Sequence, residues 1–451
     1  MKKAYWLNLP KRMIRILNKY MESKNKIVLM VAYHFPPAAM GSGHLRTLGF
    51  VKYLPPLGWE PVVLSAHPRA YTRSDAASKQ LIPQACEVHR AFALDTRRHF
   101  GIHGKYPAIL AQPDRWISWW PAAVYRGLRL IRRYRVSVIW STYPIMTAHC
   151  IAYTLSRLTG LPWIADFRDP VLNSVATQSR LTVSTQLRWE HRVLSRAACS
   201  VFTTPGAMRS YSGRYPEAYR KGRMAVITNG YDEEIFSVLP VYRPYQQGQP
   251  LHLLHSGLLY PVGRNPIPFF KALANLRGSG YLTANDIKVT LRASGSEGQY
   301  EAELERLGLN DLVSLAPPLP YREAMAEQAN VDALLLFQGE QYDSQIPAKL
   351  YEYLRIGRPI FALVGERGDT AAVLRNTGGA IIVPLGEISV IGRRLMEFIR
   401  TLRDGRCPKA DEAVVQKYSR RQGALSLAKL FNLAVLQRQI QVAGQEPGEP
   451  K

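Results

Sequence analysis

Short runs of β-branched and aliphatic residues alternate with longer segments of helical period from Lys26 to about residue 400. A short run that is apolar at nearly every position predicts a strand covered on both faces. Segments with apolar residues three and four apart predict the helices that cover it. The first half predicts strands at Lys26–Ala32, Pro61–Ser65, Ser137–Trp140, Trp163–Asp166, Ser200–Thr203 and Met224–Thr228. The alternation breaks at Leu239–Pro250, LPVYRPYQQGQP, where Pro, Gly and Gln replace periodic apolar residues as in an interdomain linker. A second series follows, with strands predicted at Leu251–His255, Ile287–Leu291, Val313–Leu315, Ala333–Phe337, Pro359–Leu363 and Ala380–Val383.

The pattern is that of α/β domains built on parallel sheets. With 451 residues the chain exceeds what one core holds, so two domains are expected. They are placed at 26–240 and 251–410, behind a basic amphipathic extension at 1–25. A helix at 411–440, which could pack back on the first domain, and a disordered polar tail at 441–451 follow. Residues 70–135 lack clean alternation, carry WISWWP, and read as an insertion or irregular acceptor-side region. Two doubly wound sheets facing a central cleft would bind ligands beyond the carboxyl ends of their strands. Function is therefore sought in loops that follow strands.

Charge changes this picture by making the halves unequal. Residues 1–240 hold 34 Lys and Arg against 13 Asp and Glu, and residues 241–451 hold 25 against 21. The first half is thus expected to meet something anionic. Residues 10–21, PKRMIRILNKYM, place apolar and basic faces as in a helix lying on a membrane, or in a helix docked on the protein. Cys86, Cys150, Cys199 and Cys407 form no CxxC pair, which suits a reducing compartment without a zinc site or disulfide frame. Neither a signal-peptide pattern nor a run of about 18 apolar residues is visible, so a cytoplasmic location is expected.

Candidate chemistry gathers after strands. Beyond the first, Gly41-Ser42-Gly43 opens a helix whose N-terminus offers N–H donors to a phosphate or carboxylate, with Arg46 close behind. GxGxxG is absent, which excludes the ordinary dinucleotide fingerprint. Asp166, Arg168 and Asp169 close a first-domain strand, where they could orient an acceptor hydroxyl or take its proton, or simply hold the loop. In the second half Gly257 follows a strand, and Arg264 lies in the next loop, where a guanidinium can clamp a pyrophosphate. Lys349 and Glu352 are neighbours on one helix face, able to meet a diphosphate and ribose hydroxyls or to pair with each other. His149 lies among apolar residues and reads as packed. Trp116, Trp119 and Trp120 could touch a lipid or sugar acceptor or serve the core.

Taken in order, these segments resemble the family 4-like retaining glycosyltransferases of the two-domain GT-B architecture. The resemblance rests on YHFPP with GSG and an Arg, GWEPVVLS, WIADFRDP at 163–170, TTPGAM at 203–208, AVITNGYDEEIF at 225–236, HSGLLYPVGRNP at 255–266 and IPAKLYEYLRIGRPIFAL at 346–363. WIADFRDP is similar to the DFRDPW segment of the bacterial polysaccharide-synthesis subgroup, with Val171 in place of the Trp. The family's ribose-binding Glu falls on Glu352, whereas a second Glu that many members place near the transferred sugar is Gln345 here.

What the resemblance implies is a Rossmann-like acceptor domain, a Rossmann-like nucleotide-sugar domain, and sugar transfer with retention of configuration. Asp169, Arg264 and Lys349 are the implied catalytic set. Gly41, Ser42, Gly43, Gly257, Arg264, Gln345, Lys349 and Glu352 face the donor, and Arg46, Asp166 and Arg168 the acceptor. Arg264 and Lys349 would stand in for a divalent metal, since no DxD motif occurs, so no metal or cofactor is expected. Partners are a nucleotide-sugar donor, an anionic or lipid-linked glycan acceptor and a peripheral membrane contact, with no nucleic acid. Two rival readings are a nucleotide-sugar 2-epimerase of the same architecture and a non-enzymatic basic binding protein.

Overall fold

The computed structural model describes residues 26–38, 41–103, 105–171, 179–236 and 248–443, with backbone alone at 41, 42 and 443. The extension at 1–25, most of the expected linker and residues 444–451 lie outside them.

The chain divides into two units, one of residues 1–228 and 420–451 and the other of residues 229–419. Numbering strands in chain order, the first unit holds β1 (Lys26–Val31), β2 (Trp59–Ala66), β3 (Glu87–Ala91), β4 (Val138–Thr142), β5 (Trp163–Phe167), β6 (Cys199–Phe202) and β7 (Met224–Val226). All are parallel, in the order β3-β2-β1-β4-β5-β6-β7. Its helices of eight residues or more are α1 (Leu45–Tyr53), α2 (Trp119–Tyr134), α3 (Met146–Thr159), α4 (Arg180–Arg196) and α5 (Pro205–Arg214), with α12 added below. Side chains of β1 alternate between two cores. Leu29 and Val31 share a core with Trp119, Ile151, Leu155 and Val193 of α2–α4, whereas Val28 and Met30 share one with Leu48 and Phe50 of α1. Burial of both faces is why the sheet reads as continuous apolar runs.

The second unit repeats the plan with β8 (Leu251–Ser256), β9 (Ile287–Arg292), β10 (Val313–Ala316), β11 (Ala333–Gln338), β12 (Ile360–Val364) and β13 (Ala380–Val383), parallel and ordered β10-β9-β8-β11-β12-β13. Helices α6 (Ile267–Gly278), α7 (Glu297–Arg306), α8 (Tyr321–Ala329), α9 (Lys349–Ile356), α10 (Asp369–Thr377) and α11 (Ile388–Arg403) cover it. In each sheet the strand order reverses beside its first strand, between β1 and β4 and between β8 and β11. Such switch points open crevices at the carboxyl ends of the strands.

The structure corrects the reading of residues 70–135 and the domain boundary, and decides between the two readings of the tryptophans. Residues 70–135 are no insertion: they supply the edge strand β3 and the 16-residue helix α2, whose Trp119, Ala123, Gly127 and Leu130 are buried. Trp116 and Trp119 are buried against Tyr33, and Trp120 stacks edge-on with Trp189, so packing accounts for all three. The boundary expected at 240 also moves. Tyr231 and Phe236 are buried in the second unit's core, and Tyr231 forms a β-bridge with Ser419, which draws 229–236 into that unit.

The expected helix at 411–440 proves to be two segments. Residues 411–419 belong to the second unit, and the last described helix, α12 (Arg420–Ala443), belongs to the first. There Leu427 and Phe431 of α12 join the core of α1, Phe431 meets Trp59, and Lys26 Nζ donates to Asn432 Oδ1 at 3.0 Å. Gly49 makes the approach possible, since a β-carbon there would stand 2.8 Å from Arg420 Cδ. Among the described residues no helix is long and apolar enough to cross a membrane.

Candidate active site

The second unit's switch point collects the strongest chemistry. His255 is fully buried at the end of β8, and its Nδ1 lies 2.9 Å from Leu335 O of the neighbouring β11. Nε2 lies 3.0 Å from both Gly257 O and Lys349 Nζ, at the start of α9; in the tautomer with Nδ1–H on the Leu335 carbonyl, Nε2 accepts from the Lys349 ammonium. Gly257 follows with φ of +115°, a conformation that favours glycine, and a β-carbon there would stand 2.8 Å from Lys349 Nζ. Glycine thus gives the ammonium its room.

Arg264 reaches the same place from the loop after β8. Its Nη2 donates to Gln338 Oε1, at the end of β11, at 3.2 Å. Gln338 is itself held, its Nε2 donating to Gln345 O at 2.7 Å and to Thr370 Oγ1 at 3.3 Å. The loop is pinned beside β11 because Gly339 N donates to Gly263 O at 2.6 Å, and Gly263 packs so closely on Tyr342 that any β-carbon would collide with the ring. Gln345 enters this network through its backbone carbonyl.

Glu352 sits one turn after Lys349 on α9. It accepts a short hydrogen bond from Tyr321 OH at the start of α8. The next residue, Tyr353, is buried and its OH accepts from Ser256 N at 3.0 Å, which ties α9 to the end of β8. Lys349, Glu352, His255 and Arg264 are thereby fixed by elements rather than by loops alone.

The electrostatics follow from burial. Desolvation, with the Arg264 charge adding to it, pushes the Lys349 ammonium from the ordinary lysine range down to about 7. Desolvation and the Lys349 charge push His255 well below its usual value, so the imidazole is neutral. Two cationic side chains held near each other, with the Lys349 ammonium hydrogen-bonded to a neutral ring, make a place where an anion gains free energy.

In the first unit the expected residues separate. Arg46 and Asp166 are buried and joined bidentately, Nε–Oδ2 at 3.0 Å and Nη2–Oδ1 at 2.7 Å. Arg46 also donates to Thr228 O and Ile227 O, and Thr142 Oγ1 donates to Asp166 Oδ2. The acceptor-side role expected of this pair gives way to a lock that joins α1, β4, β5 and the end of β7. Asp166→Ala is expected to destabilise the first unit by about 3–5 kcal/mol, because it strands a buried guanidinium. Chemical denaturation checks this, and a loss below about 1 kcal/mol would contradict it.

Arg168 and Gly43 lie together. Arg168 Nη1 donates to Gly43 O at 2.7 Å, and a β-carbon on Gly43 would stand 3.3 Å from that nitrogen and 3.4 Å from His34 Nδ1. Burial and the Arg168 charge push His34 down to about 3, and its Nε2 is buried with no partner among the described residues. Asp169 is half-buried beside Arg168, and Gly41 and Ser42 form the turn that enters α1. His149 is packed, with Nδ1 2.7 Å from Ser141 Oγ.

With this geometry in place, residues 42–230 match the family model described as glycosyl transferase 4-like domain. This stretch, nearly all of it in the first unit, is similar to a glycosyl transferase 4-like domain. Its match contains Gly43, Arg46, Asp166, Arg168 and Asp169, while Arg264, Lys349 and Glu352 lie outside it, in the second unit. No protein of curated function matches the sequence.

Solved structures share the fold over more than nine-tenths of the chain. Sucrose-phosphate synthase from Thermosynechococcus elongatus superposes with a TM-score of 0.58 at 14% identity, covering 93% of this chain and 99% of its own. The lipopolysaccharide outer core galactosyltransferase WaaB gives 0.56 at 13%, covering 92% and 99%. HepE from Anabaena in complex with UDP-glucose gives 0.53 at 14%, covering 93% and 99%. At these identities the likeness shows the fold alone: two parallel α/β sheets, as the sequence pattern predicts, in the GT-B architecture that the resemblance implies.

Proposed function

We propose that the protein is a glycosyltransferase that takes a sugar from a nucleoside-diphosphate sugar and gives it to an anionic, lipid-linked glycan acceptor at the inner face of a membrane. The observation that carries this reading is the pairing of Lys349 and Arg264 at the switch point of the second sheet, one turn from Glu352. A diphosphate matches the two cations, and a ribose diol matches a carboxylate that already accepts a hydroxyl hydrogen bond from Tyr321. The likeness to a glycosyl transferase 4-like domain, and the UDP and UDP-glucose bound in HepE structures, support the same substrate class. The basic first half supports the anionic acceptor.

In this reading the bond from the anomeric carbon to the leaving phosphate oxygen breaks while the acceptor oxygen bonds to the same carbon from the same face. The hydroxyl proton passes to the departing diphosphate. Lys349 and Arg264 stabilise the charge growing there, in the role a divalent metal fills elsewhere, and Asp169 orients the acceptor hydroxyl. Retention follows from same-face attack, and an inverted product anomer in an NMR assay would end that part of the proposal.

Thermal-shift binding of UDP, GDP, ADP and dTDP with and without EDTA tests the donor site. One nucleotide at about 100 times its Kd is expected to stabilise the fold by about 2.7 kcal/mol, whatever the EDTA. Glu352→Ala is expected to remove most of that shift while the unliganded protein stays folded. Absence of any shift with a folded sample would overturn the donor-site assignment. Conversion of nucleotide sugar with no acceptor present would favour the epimerase reading instead.

A further inference from the structure

Residues 92–103 and 105–112 run from the end of β3 across the carboxyl edge of the first sheet. The segment is anchored from within by buried Ala93, Asp95 and Ala111. Thr96 N donates to Arg115 O at 2.8 Å, and Thr96 Oγ1 to Leu110 O at 3.0 Å. Gln112 Nε2 donates to Thr182 Oγ1 in the first turn of α4 at 3.1 Å, and Asp114 accepts from Thr147 in the first turn of α3. Ile102 and Lys105 exchange two backbone hydrogen bonds, of 2.9 and 3.0 Å, which close a tight turn.

This tied-down segment holds large apolar side chains in the open. Phe100 is 53% exposed, Ile102 75%, Ile109 74% and Leu110 48%, and Leu181 beside Thr182 is 44% exposed. These bonds hold the ends of the segment and its turn, and the segment's apolar side chains stand exposed between them. Exposed apolar groups concentrated in this way mark a contact surface.

The charges around them say which kind. Arg97, Arg98, Lys105 and Arg180 are exposed among these side chains. The acids between residues 92 and 165 are Asp95 and Asp114, and neither is exposed, each being engaged in internal hydrogen bonds. A protein interface concentrates its apolar residues in a core depleted of charge. Here Ile, Leu and Phe alternate with Arg and Lys, which suits a surface that is anionic at the headgroups and apolar just beneath.

We infer that the tip bearing Phe100, Ile102, Ile109, Leu110 and Leu181 seats the first unit on an anionic lipid bilayer. The inference rests on the proposed function and deepens it, since a lipid-linked acceptor would then be delivered at the carboxyl edge where the first unit's ligand side lies. Membrane seating can nevertheless stand or fall apart from sugar transfer.

The test uses the full chain and vesicles of phosphatidylcholine, alone or with an equal part of phosphatidylglycerol. Binding is expected for the mixed vesicles, weaker in high salt, and the Ile102→Ser/Ile109→Ser double variant should bind at least about tenfold more weakly. Both positions are exposed, so the variant should keep its melting temperature and its nucleotide-induced shift. Ile102→Trp reports insertion directly, through quenching of the new indole by brominated lipid chains. Equal binding by the double variant, unquenched fluorescence from the Ile102→Trp variant, or no vesicle binding by the unaltered chain would each overturn the inference. Vesicle binding that depends on the tip in a protein that binds no nucleotide would sink the glycosyltransferase reading and leave the seating intact.

Discussion

Lys349→Met is expected to lower kcat by about 100–1000-fold, the range seen when one preorganised donor to developing charge is removed. Lys349 is the group whose ammonium is held against His255 Nε2, in the space that Gly257 leaves open. Methionine approaches the length of the side chain and removes its charge, so the geometry of α9 should survive. The effect on stability should have the opposite sign. Lys349 is desolvated and beside the like charge of Arg264, so the neutral side chain relieves a cost that the native fold carries. The expected result is therefore a variant at least as stable as the parent and nearly inactive. Steady-state kinetics with thermal unfolding reads both, and a variant active to within about threefold would remove Lys349 from the chemistry.

That loss of activity with unimpaired stability separates functional burial from structural burial, and the Arg46–Asp166 pair is the contrast. Both sites hold a buried or half-buried cation. In the first unit the guanidinium meets a carboxylate and two carbonyls, so removing one partner should cost stability. In the second unit the ammonium donates to a neutral ring.

The sheets are legible in the sequence because strands covered on both faces read as apolar runs, and twelve of the observed strands answer to such runs. β3 escapes for the complementary reason. It is an edge strand, EVHRA, in which only Ala91 is buried, so packing imposes no run on it. α2 itself has a strong helical period, with Trp119, Ala123, Gly127 and Leu130 inward and its arginines outward, but the irregular stretch before it breaks the strand–helix alternation.

In the candidate site, Lys349, Glu352, Arg264 and Gly257 are readable because each follows a strand or lies in the first turn of a helix. Tyr321 and Gln338 are not. Tyr321 meets Glu352 across 31 residues, and Gln338 meets Arg264 across 74, through the crossing of separate elements. His255 is visible as part of HSG, but its role is not, because holding Lys349 depends on the adjacency of β8 and α9. Arg46 and Asp166, 120 residues apart, look like ligands for the same reason that they pair: charged groups near strand ends suit either purpose.

Donor binding should take up a proton above neutral pH. Lys349 titrates at about 7 in the unliganded fold, because desolvation and Arg264 disfavour its charged form. A bound diphosphate supplies the missing negative charge and raises that value. Below pH 7 the ammonium is already charged, so affinity is insensitive to its titration. As pH rises above about 7 the free site loses the proton that the complex keeps, and affinity should fall by up to about tenfold per pH unit. The fall ends where the complex itself deprotonates. Stability of the unliganded protein should move the other way, rising between about pH 7 and 10.5, because there the unfolded chain binds the proton that the fold refuses. A nucleotide sugar is the right ligand, since its diphosphate has no group titrating near neutrality and any proton taken up belongs to the protein. Calorimetric titration at pH 8 in buffers of different ionisation enthalpy should show an uptake approaching one proton, absent in Lys349→Met. Equal heats across buffers in the parent protein would mean that Lys349 keeps one protonation state on binding, and the proton-uptake account would fall.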